Sequence, residues 1–310
     1  MTNALTIDLE DWPQSVLDPR LPITDGVVGN TERVLALLDR FNVRATFFAL
    51  GKVCERFPRL LPTIASAGHE IASHGYGHEL IHTLTPEQFR EDVRRSVEII
   101  ESQVGRKPIG YRAPAFSFTK QTSWAGPILS ALGFCYSSSI FPIAGRRYGI
   151  ADAPRGVHRW PTCDLIEFPL TTVRRFGRNL PVSGGGYFRL LPGAVASAAI
   201  REVNREGRPA VVYLHPYELA VNELSQLRHR GWRISPRMYL TQSLFRGRIA
   251  GRLSRLLTEF RLAPMAEVLE LVMKKSKHPN VEASKLRKIG ARESKRRTRP
   301  SLCCSDFSTF

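Results

Sequence analysis

His74 and His78 stand four residues apart, directly after the short run Glu70-Ile71-Ala72-Ser73. On one helical turn that spacing turns both imidazoles the same way, so they could share a divalent metal. The pattern alone is more often an ordinary surface or core pair. His82 lies four further on, but the short strand before His74 favours His74 and His78. A metal hydrolase also needs one carboxylate on the metal and another as base toward water. Asp8, Glu10 and Asp11 offer three candidates. Strand alternation puts Asp8 and Glu10 on one face and Asp11 on the other, unless the strand stops after Asp8. Arg112 could orient a carboxylate through a two-pronged hydrogen bond, or be an ordinary structural ion pair. His215 follows an apolar strand and precedes Pro216, where it could protonate a leaving amine or be a satisfied core histidine.

These residues need elements to bring them together. Leu5–Leu9, Arg44–Leu50, Glu70–Ser73, Ile109–Arg112, Phe134–Ser137, Leu165–Phe168 and Ala210–Leu214 read as short buried strands. Helices are expected after Asn30 as N-cap, over Glu55–Ala67, after Thr85 and over Ala194–Arg205, with a last strand–helix pair over Glu259–Met273. The best-marked start is Thr85-Pro86-Glu87-Gln88, with a capping Thr, Pro at the first helical position and Gln at the third; Gly105 is its natural stop. Alternating strands and helices imply a parallel sheet covered on both faces. About seven such units fit an α/β fold in the form of a distorted (β/α) barrel, whose active residues gather at the C-terminal strand ends. The four polar groups, Asp8 to Asp11, His74 with His78, Arg112 and His215, all sit at such ends.

The 310 residues are 43% hydrophobic and 24% charged, ordinary for a globular protein. Net charge is +17. Residues 274–310 carry 11 Lys/Arg against 3 Asp/Glu, and read as a basic, disordered tail. No aromatic residues interleave its basic run, so nucleic acid is not expected. Its charge would suit an anionic membrane surface. Five cysteines fit neither a zinc ribbon nor a disulfide framework. With no signal segment and no apolar run of membrane-spanning length, the expected location is the cytoplasm.

Thr6-Ile7-Asp8, Arg44-Ala45-Thr46-Phe47-Phe48, Ser73 to His78, Arg112-Ala113-Pro114 and Leu214-His215-Pro216, in that order, resemble the polysaccharide deacetylase family, the carbohydrate esterases with a NodB homology domain. Asp8 to Trp12, Gly185 to Pro192 and Tyr213 to Leu219 further resemble the subgroup linked to bacterial exopolysaccharide clusters and the PEP-CTERM/exosortase system. The resemblance implies a NodB-type domain over 1–220 and a C-terminal extension over 221–273 packed on the barrel. It implies metal-dependent removal of N-acetyl groups from an oligo- or polysaccharide. His74, His78 and a carboxylate would hold the metal, Zn²⁺ by expectation. Asp8 would be the base, Arg112 its orienter and His215 the acid, with a backbone N–H near Ala115 at the oxyanion. The family's adjacent Asp-Asp pair is replaced here by Asp8-Leu9-Glu10-Asp11, so the metal carboxylate is Asp11, with Glu10 as alternative. The fourth family motif is missing, which leaves His215 without an assigned partner. Two rival readings are a small-amide hydrolase of allantoinase type and a glycan-binding module without turnover.

Overall fold

The computed structural model describes residues 1–145, 148–182 and 184–276. Most of the basic tail, from residue 277 on, therefore lies outside the described residues. The first half of the chain runs β1 (Thr2–Leu9), α1 (Gly26–Arg40), β2 (Thr46–Ala49), α2 (Gly51–Arg56), α3 (Leu60–Ser66), β3 (Glu70–Ser73), α4 (Pro86–Val104), β4 (Gly110–Tyr111), α5 (Ala125–Ala131) and β5 (Tyr136–Ser137). Then follow β6 (His158–Arg159), β7 (Ile166–Glu167), the hairpin β8 (Thr172–Arg175) and β9 (Arg178–Pro181), α6 (Gly185–Leu190), α7 (Gly193–Arg205) and β10 (Val211–Leu214). The last part holds α8 (Glu223–His229), α9 (Pro236–Ser243), α10 (Ile249–Glu259), β11 (Arg261–Ala263) and α11 (Met265–Ser276).

The main sheet has the order β10-β1-β2-β3-β4-β5-β7-β6 and curls into a half-barrel. Its first seven strands are parallel; β6 is antiparallel to β7, and β11 pairs parallel with the first residues of β1. The fold is thus α/β, as the alternation of elements predicts.

Period-two alternation along each strand decides where the polar residues go. In β1, Leu5, Ile7 and Leu9 join the core under the helices, with Phe47, Ala49, Val212 and Leu214 from neighbouring strands and Val34, Ile64, Ile200 and Leu253 from the helices. Each fully buried Val, Leu, Ile or Phe among them contributes about 1.5–3 kcal/mol. Ala4, Phe48, Ala72, Val211 and Tyr213 belong to a second cluster, on the sheet's other face. Two residues on from these inward positions come Asp8 (through Thr6), His74 (from Ala72) and His215 (from Tyr213). In β4 the inward position is Gly110, where a Cβ would lie 2.1 Å from the Tyr136 ring. Two residues on is Arg112.

Several element boundaries differ from expectation for identifiable reasons. Helix α1 starts at Gly26, so Asn30 is interior rather than a cap; its amide donates to Glu223 Oε1 at 2.7 Å. The expected helix over 55–67 is two, α2 and α3, parted around Pro58, which has no N–H to donate. Helix α4 keeps its capping box, Thr85 with Gln88, and ends at Gly105 with φ 72°. The β8–β9 hairpin and helices α8 to α10 were not expected from the sequence.

Candidate active site

The C-terminal ends of β1, β3, β4 and β10 deliver Asp8, Glu10, His74, Arg112 and His215 to one mouth. Glu10 Oε1 lies 2.8 Å from His74 Nε2 and 3.0 Å from His78 Nε2. All three residues are buried. His74 Nδ1 donates to the carbonyl of Arg112 at 2.8 Å. That bond uses the only proton of a neutral imidazole, so His74 Nε2 presents a lone pair to a carboxylate oxygen. Two acceptors at this distance repel unless a cation lies between them. A proton or a divalent ion meets that need, and Glu10, His74 and His78 form a coherent O,N,N donor set for the latter.

The histidine pair does not meet on a helical turn, contrary to expectation. Residues 74–80 form an irregular loop. Asp92 of α4 clamps it, its two carboxylate oxygens accepting the N–H of Tyr76 at 2.8 Å and of Gly77 at 2.9 Å. Gln14 also donates to the Gly77 carbonyl at 3.0 Å. His78 then sits at φ 66°, a left-handed conformation uncommon for a side chain of its size. His82 is exposed on a short turn, away from the cluster.

Asp11 requires a correction. Its carboxylate turns away from the histidines and accepts the Thr24 N–H at 2.6 Å and the Thr24 hydroxyl at 2.9 Å. Burial pushes it up to about 6 despite those donors. The carboxylate facing both imidazoles is Glu10, the alternative candidate: β1 runs to Leu9, and Glu10, the first residue beyond it, lies on the same side as Asp8. Burial works to raise Glu10, but His78, His215 and His74 hold it well below the usual carboxylate range.

Asp8 accepts Arg112 Nη1 at 2.6 Å. The rest of the guanidinium is equally engaged: Nη1 also donates to the Thr6 hydroxyl, Nε to the Ser138 carbonyl and Nη2 to the Ser138 hydroxyl. Its plane lies 4.0 Å from the Phe48 ring centroid. The fork is rigid, fully buried and aimed at Asp8.

His215 Nε2 lies 3.9 Å from Asp8 and 3.8 Å from Glu10. Its Nδ1 donates to Glu218 at 3.3 Å, its ring stacks on Tyr217 at 4.8 Å, and its backbone N–H also donates to Glu218. Burial opposes the charged imidazole, but Glu10, Glu218 and Asp8 outweigh it and raise His215 to about 9. Glu218 is the partner that sequence reasoning left unassigned. Its signal was present: Pro216 after His215, with an acid at the third position, is the signature of a capped turn. Asp92 had no local signal, because it lies on a separate helix.

A cavity of about 240 Å³ opens at this mouth, lined by Asp8, Glu10, His78, Ala115, His215 and Tyr217 among others. Ala115 stands at φ 49°, a strained conformation for a residue with a side chain. Gly185 and Gly186 complete one wall. At Gly184 a Cβ would lie 1.9 Å from the Tyr213 ring, so only glycine permits that close approach.

Residues 21–134 match the family described as Polysaccharide deacetylase, and residues 138–270 match a domain of unknown function, DUF3473. Both histidines of the pair lie in the first segment; His215 and Glu218 lie in the second. A peptidoglycan deacetylase from Helicobacter pylori is 35% identical over 108 residues, 35% of this chain and 36% of that protein. A peptidoglycan-N-acetylglucosamine deacetylase from Bacillus cereus is 33% identical over 96 residues, 31% of this chain and 35% of that one. The chain spans about a third of the length of these curated relatives. A crystal structure of a Mycobacterium smegmatis protein, inferred to be a polysaccharide deacetylase, superposes with TM-score 0.57 at 23% identity, covering 96% of this chain and 94% of that one. That likeness shows the fold.

Proposed function

We propose, from the match of residues 21–134 to the polysaccharide deacetylase family, that this chain hydrolyses N-acetyl amide groups on a carbohydrate. The observation that carries the reading is one carboxylate oxygen of Glu10 within 3.0 Å of two imidazole nitrogens, beside an Asp8–Arg112 pair and a charged His215.

Glu10, His74 and His78 would hold a divalent ion, Zn²⁺ by the donor types. When bound, such an ion supplies Lewis-acid polarisation of the acetamide carbonyl and of water. Asp8 accepts the proton of the attacking water, and Arg112 holds that carboxylate oriented. The Ala115 backbone N–H faces the developing oxyanion. His215, protonated near neutral pH, gives its proton to the departing amine while Glu218 fixes its ring. The products are acetate and a free amino sugar. A role in exopolysaccharide assembly is supported by the resemblance of Asp8–Trp12, Gly185–Pro192 and Tyr213–Leu219 to that subgroup.

The test is acetate release from N-acetylglucosamine oligomers by metal-loaded protein, beside a His74→Ala/His78→Ala variant. Release by the unaltered protein alone is expected. Metal binding without release from any acetylated glycan would redirect the reading to another amide; failure to bind metal would sink it.

A further inference from the structure

From Leu224 to Thr258 the chain has eight arginines and no aspartate or glutamate. Elsewhere its arginines are interleaved with acids: Arg94 bridges Glu91 and Glu98, Arg95 meets Glu55 and Arg175 meets Glu202. Within this segment Arg246 is buried on Glu223, Arg230 reaches Asp25 and Arg255 reaches Glu259. Arg228, Arg233, Arg237 and Arg248 are exposed. Among the described residues, none of these four has a carboxylate within ion-pair distance. Two instead lie over aromatic rings, Arg228 at 4.8 Å from Tyr239 and Arg248 at 4.7 Å from Phe245.

The same segment exposes apolar side chains. Helix α9 has no buried residue, Leu240 is 65% exposed, and Leu244 and Phe245 are 41% and 37% exposed. The turn holds Phe245 at φ 60°, a conformation that is unfavourable for an aromatic residue. A face kept only for solubility would carry acids among its bases and no such apolar tip. The element is firmly seated: Met238 and Tyr239 pack on the cluster of Trp12, Tyr217 and Leu224. The Gln242 carbonyl accepts Arg189 at 2.9 Å and Arg246 at 2.8 Å. It is therefore fixed to Tyr217 and α6, two walls of the cavity.

We propose that α9 and the turn after it form a docking surface for an anionic lipid membrane. Leu240, Leu244 and Phe245 enter the boundary between headgroups and acyl chains, and Arg228, Arg233, Arg237 and Arg248 meet the lipid phosphates. A soluble polyanion would satisfy the arginines but gains nothing from two exposed leucines, and one phenylalanine offers little base stacking. No described helix is long and apolar enough to cross a membrane, so the contact is peripheral. The inference is independent of the hydrolase reading and of residues 277–310.

The experiment is sedimentation of the full chain with phosphatidylcholine vesicles, with and without phosphatidylglycerol. Its companions are Leu240→Ser/Leu244→Ser/Phe245→Ser, Arg233→Glu/Arg237→Glu and a chain lacking 277–310. Binding only to the phosphatidylglycerol vesicles is expected, weakened on the order of tenfold by either set of substitutions and retained without the tail. Three results would overturn the proposal: no vesicle binding, binding unaffected by both sets of substitutions, or binding lost only with the tail. Capture by a soluble polyanion without vesicle binding reassigns the surface to an acidic polymer. Thermal unfolding of each variant checks that the fold is kept.

Discussion

Two buried polar groups flank the first strand, and each takes a carboxylate from the same four-residue run. Asp8 and Glu10 turn into the barrel mouth, among Arg112, His74, His78 and His215. Asp11 turns the other way, toward Thr24 and the group formed by Asn30, Glu223 and Arg246. At the mouth, the surrounding histidines hold Glu10 well below the usual range. On the other side burial wins: Asp11 rises to about 6 and Glu223 to about 7. Glu10 is thus pushed down where chemistry is proposed, while Asp11 and Glu223 are pushed up where they knit loops together. Acid residues are told apart by the charges that face them, not by spacing along the chain.

The contrast can be broken experimentally, and the largest effect is expected at the arginines. Arg112→Met strands Asp8 as an uncompensated buried charge and should lower stability by about 3–5 kcal/mol and abolish acetate release. Arg246→Met should lower it by only about 1–3 kcal/mol, because Glu223 takes up a proton near neutral pH. Urea unfolding measures both, and equal losses would remove the distinction.

Next, Glu10→Gln should weaken divalent-metal affinity more than about 100-fold, beyond the range of outer-shell changes. Asp11→Asn should leave that affinity within about threefold. Calorimetric titration decides, and the reverse order would restore Asp11 as the ligand. Glu218→Gln should reduce kcat about 10- to 100-fold. It should also move the alkaline limb of the kcat/KM profile to lower pH. The charged His215 is the active form, and loss of Glu218 lowers its pKa from about 9. An unmoved limb would mean that Glu218 only caps the turn.

The smallest effect concerns stability against pH. Glu223 is raised from 4.5 to about 7, so the folded state prefers the protonated form. Its contribution is present below about pH 4.5 and lost as pH rises through about 7, with a slope of at most about 1.4 kcal/mol per pH unit. Glu10, lowered, has the opposite sign: its contribution is present above 4.5 and lost as pH falls. Glu223→Gln should therefore flatten the decline between about pH 4.5 and 7, read from unfolding midpoints across that range.

Local chemistry in the sequence determined much of this protein. Thr85 and Gln88 marked the start of α4, apolar runs marked the strands, and four polar clusters at strand ends pointed to one mouth. Period two by itself placed Asp8 and Glu10 together. Only the tertiary structure decided what depends on distant partners. The strand runs on to Leu9 rather than stopping at Asp8, and Glu10 rather than Asp11 faces the histidines. Asp92, on another helix, folds the loop that joins His74 to His78. Asn30 became a buried bridge to Glu223 instead of a cap. A residue's role follows from the groups packed against it, and those arrive from chain segments tens to hundreds of positions away.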